Sequence, residues 1–143
     1  MPNTRPLSLR SPAAILCLLL AAAIFFLGVN FMLHPHAGAA GYGVQVGSTD
    51  ADTFLKAKGL RDVASGLVLF CLVAFASARA VGLFILTMTV IPFGDAALVA
   101  MTNSAPAYAV PMHAITGLLM LALSALMLRR PSSVATDAVP GRP

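Results

Sequence analysis

Charged side chains are scarce in this sequence. Of its 143 residues only 10% are Asp, Glu, Lys or Arg, Glu is absent altogether, and 59% are hydrophobic. A soluble domain carries about 25% charged residues, and a chain of this length cannot bury so much apolar surface in water. The composition therefore excludes an ordinary soluble domain and predicts an integral membrane protein. A bilayer core of about 30 Å needs roughly 20 apolar residues per helix, so about four spans fit.

Tryptophan is absent, and there are only two tyrosines and two cysteines. With few rings to stack on bases and no dense Lys or Arg run, the net charge of +4 does not indicate nucleic-acid binding. Cys17 and Cys71 lie in apolar runs without a CxxC pattern, which is typical of structural thiols. Hydrolase and nucleotide-binding motifs are also missing. The sequence thus favours a protein that is not an enzyme and needs no cofactor.

The apolar runs predict an all-α fold, a four-helix antiparallel transmembrane bundle over residues 13–128. The first run has 21 residues, whereas the apolar part of a signal peptide, the competing interpretation, has about 7–15. Residues 1–12 are expected to be a flexible basic tail, and residues 129–143 a disordered one. The four spans are predicted at Ala13–Leu33, Arg61–Ala78, Ala80–Met101 and Val110–Leu128.

The connections between the spans carry their own signals. Spans two and three are so close in sequence that a very tight hairpin is predicted, and Pro92 predicts a kink in span three. The long connection between spans one and two is expected to be irregular in its Gly- and Ala-rich first half. Its second half, residues 48–60, predicts a short amphipathic helix that Asp50 or Asp52 caps and Gly59 ends.

The distribution of Lys and Arg predicts the orientation. Six arginines lie in the two tails and in the turn between spans two and three, whereas the other side carries Lys56, Lys58 and Arg61. Cytoplasmic segments carry the excess of positive charge. We therefore expect both tails in the cytoplasm and the long connection on the outer side of the cell membrane.

Three ionisable residues are predicted to meet at one depth. Asp62 lies 17 residues before Arg79, Asp95 lies 16 residues after it, and His113 lies 16 residues before Arg129. With a rise of about 1.5 Å per residue, all three lie roughly 24 Å from the cytoplasmic boundary. Ionisable side chains inside a membrane are costly and usually mark a function. Their alignment near the outer face therefore indicates a candidate site.

Charge balance restricts the states of this cluster. Two neighbouring carboxylates cannot both ionise without a counter-charge. Arg61 is predicted to pair with one carboxylate, and a protonated His113 with the other; with a neutral His113, one carboxyl holds a proton instead. Asn30 joins from the outer end of span one. The predicted ligand-binding residues are Arg61, Asp62, Asp95, His113 and Asn30.

Several interpretations of the cluster stay open. It can bind a small polar or amphiphilic ligand or shuttle a proton. It can also be a structural clamp, since glycines four residues after Asp62 and His113 allow helices to approach closely. His34 and His36 with Asp95 and His113 are zinc-type ligands, but one HxH pair is a weak signal and no metal site is predicted.

Three short runs carry a resemblance to a known family: GLRDVASG at 59–66, IPFGD at 91–95 and MHA at 112–114. They resemble a domain-of-unknown-function family of small four-span membrane proteins that is distantly DoxX-like. The resemblance implies a four-helix bundle in a lipid bilayer but no settled activity. It adds a quinone-linked redox subunit as an alternative, beside the accessory membrane subunit whose charged cluster only clamps the helices. The partners are then the bilayer and a small amphiphile or quinone, without nucleic acid; the oligomeric state is left open.

Overall fold

The computed structural model describes residues 8–102 and 105–129, and all regular structure in these ranges is helical. This confirms the all-α prediction for the described part of the chain. Most of the two predicted tails, residues 1–7 and 130–143, lies outside the described residues. The helices are α1 Pro12–Leu33, α2 Pro35–Tyr42, α3 Asp52–Phe75, α4 Ala78–Met88, α5 Val90–Ala100 and α6 Ala109–Leu128, with a 3-10 turn at Thr49–Ala51.

Three helical stretches are long and apolar enough to cross a membrane: α1, α4 together with α5, and α6. They confirm the helical positions predicted for spans one, three and four. α3 is 24 residues long, but its first half carries Lys58, Arg61 and Asp62. Length and apolar composition therefore identify three candidate spans among the described residues, and α3 is not one of them.

The predicted helix end at Gly59 is wrong, because α3 runs through this residue without interruption. Gly59 instead lies where α3 crosses α1: a Cβ atom there would lie 2.6 Å from the carbonyl oxygen of Gly28 and 2.9 Å from the side chain of Met32. A glycine is needed for this close approach. The separate amphipathic helix expected over residues 48–60 therefore merges into α3. Its 3-10 turn is capped by Ser48, whose Oγ accepts from the Asp50 N–H.

The first half of the long connection is helical rather than irregular, which corrects a second prediction. α2 begins at Pro35, whose fixed φ and missing N–H suit the first turn of a helix. It ends at Tyr42, and the capping residue Gly43 has a φ of 104° and donates its N–H to the carbonyls of Ala39 and Ala40. This left-handed conformation favours glycine. The short helix of the connection is therefore α2.

The remaining connections agree with the sequence. Only two residues separate α3 from α4, and Ser77 caps α4 by accepting from the Ala80 N–H, as expected of a tight hairpin. The third predicted span is interrupted at Thr89, between α4 and α5. Pro92, three residues further on, has no N–H to offer the carbonyl of Met88, so the helix is weakened there.

The helices form two groups that are packed unequally along their length. α1 packs along α3, and α6 packs along α4 and α5. In the second group Ser124 donates a buried hydrogen bond of 2.8 Å to the carbonyl of Gly82. A hydrophobic core joins the groups around the beginning of α1 and the end of α6: Ala13, Ala14, Cys17, Ala21, Leu69, Val73, Val81, Ile85, Met120 and Met127. The opposite half, called here the α2 end, lies outside this core.

The close crossing of α1 and α3 predicts that a glycine substitution at the crossing destabilises the protein, whereas a glycine substitution in α5 does not. Gly59→Ala should lower the free energy of unfolding by about 1–3 kcal/mol, because the added methyl group meets the backbone carbonyl of Gly28 and the side chains of α1 beside it. Gly94→Ala is the matched control in α5, since a Cβ there meets nothing within 4 Å. It should be neutral or stabilise by up to about 1 kcal/mol. Denaturant titration in micelles, followed by circular dichroism, measures both; equal losses would contradict the close crossing.

Candidate functional site

A cavity of about 300 Å³ lies between the two helix groups and reaches from the α2 end to the middle of the bundle. Its size is at the lower end of the range for small-molecule pockets, roughly 300–1,000 Å³. Leu20, Met88 and Met120 line its deep part, which is apolar. The polar side chains that line it are Asn30, Tyr42, Lys58, Asp62, Ser65, Asp95, His113 and Thr116. The structure thus brings Asn30, Asp62, Asp95 and His113 to one cavity.

Lys58, not Arg61, is the cation that pairs with Asp62. The Lys58 Nζ lies 2.6 Å from Asp62 Oδ2, one helical turn further along α3. The ammonium also lies 4.5 Å from the ring centroid of Phe31 and 5.3 Å from that of Tyr42, within the range of cation–π attraction. Both members of the pair are largely buried, so the ion pair is a fixed part of the cavity wall.

The predicted pairing of Arg61 is therefore wrong. Its side chain is exposed, and among the described residues no carboxylate lies within the 4 Å of an ion pair with it. Arg61 lines a neighbouring cavity that also touches Asp62 and Asp95. On α3 Arg61 directly precedes Asp62, about 100° around the helix, so the two side chains leave the helix in different directions.

His113 is buried, and its partner is a backbone carbonyl. Its Nε2 lies 2.9 Å from the carbonyl oxygen of Tyr42, and its ring lies 4.6 Å from the Tyr42 ring between centroids. A carbonyl only accepts, so Nε2 carries the proton of this hydrogen bond. The predicted pairing of a protonated His113 with a carboxylate is wrong for the described residues, whose ion pairs are His36–Asp52 and Lys58–Asp62. His113 instead fixes the end of α2 against α6.

Tyr42 is the residue at the centre of the site that the sequence did not indicate. It ends α2, and its hydroxyl hydrogen-bonds to Asp95. Burial raises the pKa of Tyr42 above its ordinary value, and the hydrogen bond to Asp95 and the negative charges of Asp95 and Asp62 raise it further. The phenol therefore stays protonated at neutral pH and donates to the carboxylate.

The two histidines at the beginning of α2, His34 before its first residue and His36 in its first turn, do not line the cavity. His34 is exposed. The Nε2 of His36 lies 2.9 Å from Asp52 Oδ1 as an ion pair without the alignment of a hydrogen bond. The Nδ1 of His36 forms a hydrogen bond of 3.0 Å with the carbonyl of Val46. His36 thereby connects α2 to the beginning of α3. In the described ranges no group of three His, Cys, Asp or Glu side chains is placed to hold a metal ion.

Residues 21–127 match the family described as Domain of unknown function (DUF4267), and the chain belongs to this family. The match begins within α1 and ends within the last turn of α6, and it covers every residue of the cavity except Leu20. No curated protein and no solved structure matches the chain. The family assignment carries no activity, so function has to be argued from the site itself.

The raised pKa of Tyr42 predicts a loss of stability at alkaline pH. An unfolded tyrosine ionises at about pH 10, whereas Tyr42 in the folded protein keeps its proton to higher pH. The unfolded state then binds fewer protons, so the free energy of unfolding falls as the pH rises above about 10. Thermal unfolding as a function of pH should show a steeper fall for the wild type than for Tyr42→Phe. Tyr108→Phe, outside the cavity, is the control; parallel curves for the wild type and Tyr42→Phe would contradict the assignment.

Proposed function

We propose that this DUF4267 protein is a four-span protein of the cell membrane whose cavity binds a small amphiphilic molecule. One observation carries the proposal: a single cavity has charged and hydrogen-bonding groups at the α2 end and an apolar wall in its deep half. A head group can meet Tyr42, Asp95 and His113 while an alkyl chain follows Leu20, Met88 and Met120. A pocket of this kind, largely apolar with a few convergent polar groups, is the usual form of a small-molecule site.

α3 is proposed as the remaining span. From Val63 onward it is free of charge, and its exposed side chains there include Leu67, Val68 and Phe75, which suit a lipid environment. The charges of its first half lie near the α2 end, where a membrane surface would be. The internal pair Lys58–Asp62 lowers the cost of placing two charges at this depth.

The contacts favour a binding site over a structural clamp. The ion pair of the cavity lies within α3, so it holds no two helices together. α1 and α3 are joined by backbone approach at Gly28 and Gly59 rather than by charge. Asp95 has no partner on α1 or α3 among the described ion pairs. A cluster built only as a clamp would place opposite charges on different helices.

Four spans and the arginine distribution predict a specific labelling pattern. In a Cys17→Ala, Cys71→Ala background, Gly47→Cys lies in the exposed connection before α3, and Ser132→Cys lies in the C-terminal tail. A membrane-impermeant maleimide should label Gly47→Cys in intact cells and Ser132→Cys only after lysis. Labelling of both residues in intact cells would place the C-terminal tail on the outer side of the membrane, as an odd number of spans would. This result would contradict the four-span topology.

Filling the cavity should remove a bound amphiphile. Thr116 lines the cavity, and Thr116→Phe projects a ring into it. Thr87→Phe is a closely matched control, because Thr87 is also an exposed helical threonine that donates to the carbonyl four residues back, but it lines neither cavity. Native mass spectrometry of the purified proteins should detect a retained lipid or quinone with the wild type and Thr87→Phe, and largely lose it with Thr116→Phe. Equal retention by all three would place the molecule elsewhere.

A further inference from the structure

The charges that line the cavity do not balance. One cation, Lys58, and two carboxylates, Asp62 and Asp95, face it. Lys58 and Asp62 neutralise each other at 2.6 Å. Within the described residues no Lys, Arg or His nitrogen lies within 4 Å of the Asp95 carboxylate. The ionised cavity therefore carries one excess negative charge, and it belongs to Asp95.

The neighbours of Asp95 do not supply a positive charge. Tyr42 offers a neutral hydroxyl that donates one hydrogen bond. His113 gives its Nε2 proton to the Tyr42 carbonyl, and in the neutral ring its Nδ1 is an acceptor. Arg61 is exposed and lines the neighbouring cavity, so solvent weakens its effect on Asp95. A partly buried carboxylate in an apolar bundle is stable when it holds a proton or meets a cation.

We infer that the cavity selects amphiphiles that carry a cationic amine in the head group, with Asp95 as the counter-charge of that amine. This inference rests on the proposed function. The amine donates to the carboxylate, while the Tyr42 ring offers an aromatic face beside it. The alkyl chain follows the apolar wall, where Met88 and Met120 adapt to its shape. An anionic head would meet two carboxylates, and a neutral head would leave Asp95 without a counter-charge.

The experiment compares octylamine, octanol and octanoate, which share one chain length and differ in head charge. Protein in phosphatidylcholine nanodiscs is titrated calorimetrically at neutral pH, with empty nanodiscs as the blank for partition into lipid. We expect octylamine to bind the wild type at least about tenfold more tightly than octanol, as a charge-assisted hydrogen bond implies, and octanoate to bind most weakly. Equal affinities for octylamine and octanol would overturn the inference and leave the proposed function standing. Binding of none of the three would overturn both.

Two substitutions locate the selectivity. Asp95→Asn should reduce the preference for octylamine over octanol to about onefold while octanol binding persists. Asp50→Asn makes the same chemical change at an exposed site outside the cavity and should keep the wild-type preference. Should Asp95→Asn fail to fold, Asp95→Glu is used instead; it retains the charge and should retain the preference for octylamine. The ranking of the three amphiphiles with the wild type tests the charge selectivity independently of either variant. A preference that survives in folded Asp95→Asn would overturn the role of Asp95.

The amine can belong to a free molecule or to an aminophospholipid of the bilayer. Nanodiscs that contain phosphatidylethanolamine distinguish these sources. Competition with octylamine in such nanodiscs would identify the lipid head group as an occupant. An unchanged octylamine affinity would assign the site to free amines. Either result keeps an ammonium group against Asp95.

Discussion

The close crossing of α1 and α3 determines where the charged side chains of this protein lie. Because Gly59 approaches the backbone of Gly28, α3 can run unbroken along α1. The adjacent Lys58 then reaches the ring of Phe31 on α1 and pairs with Asp62 one turn further on. A larger residue at either glycine would push the helices apart. The polar wall of the cavity thus depends on a backbone contact that involves no charge.

Side-chain packing divides the bundle into two unlike halves. The core between the helix groups is filled around Cys17, Val73 and Met127. At the α2 end the groups are separated by the cavity, and α2 lies beside it, held by the hydrogen bond from His113 to Tyr42. Such a division allows one half to maintain the fold while the other accommodates a molecule. The interruption at Thr89, with Pro92 after it, lies near the boundary between the halves.

Helical spacing predicted much of this arrangement, because the rise per residue is constant. Counting residues from the boundary arginines brought Asp62, Asp95 and His113 to one depth, and they line one cavity. The sequence failed where tertiary contact overrides local preference. The sequence predicts a helix end at Gly59, because the residue against which it packs, Gly28, is far away in sequence. With a helix end there, Lys58 and Asp62 would not lie one turn apart on the same helix, so their ion pair is not predicted. The role of Tyr42 is not predicted either, because the Gly- and Ala-rich segment before it has no sequence pattern that indicates the helix α2.

We expect an alkyl chain, not water, to occupy the deep half of the cavity. Met120 reports on this directly, because it lines the cavity and is only 5% exposed to the outside. With methyl-¹³C methionine and Met120→Leu for assignment, nuclear Overhauser spectra in bicelles should show contacts from the Met120 methyl group to the chain of a bound amphiphile. Contacts to water alone, or to neither, would contradict an amphiphile-binding cavity.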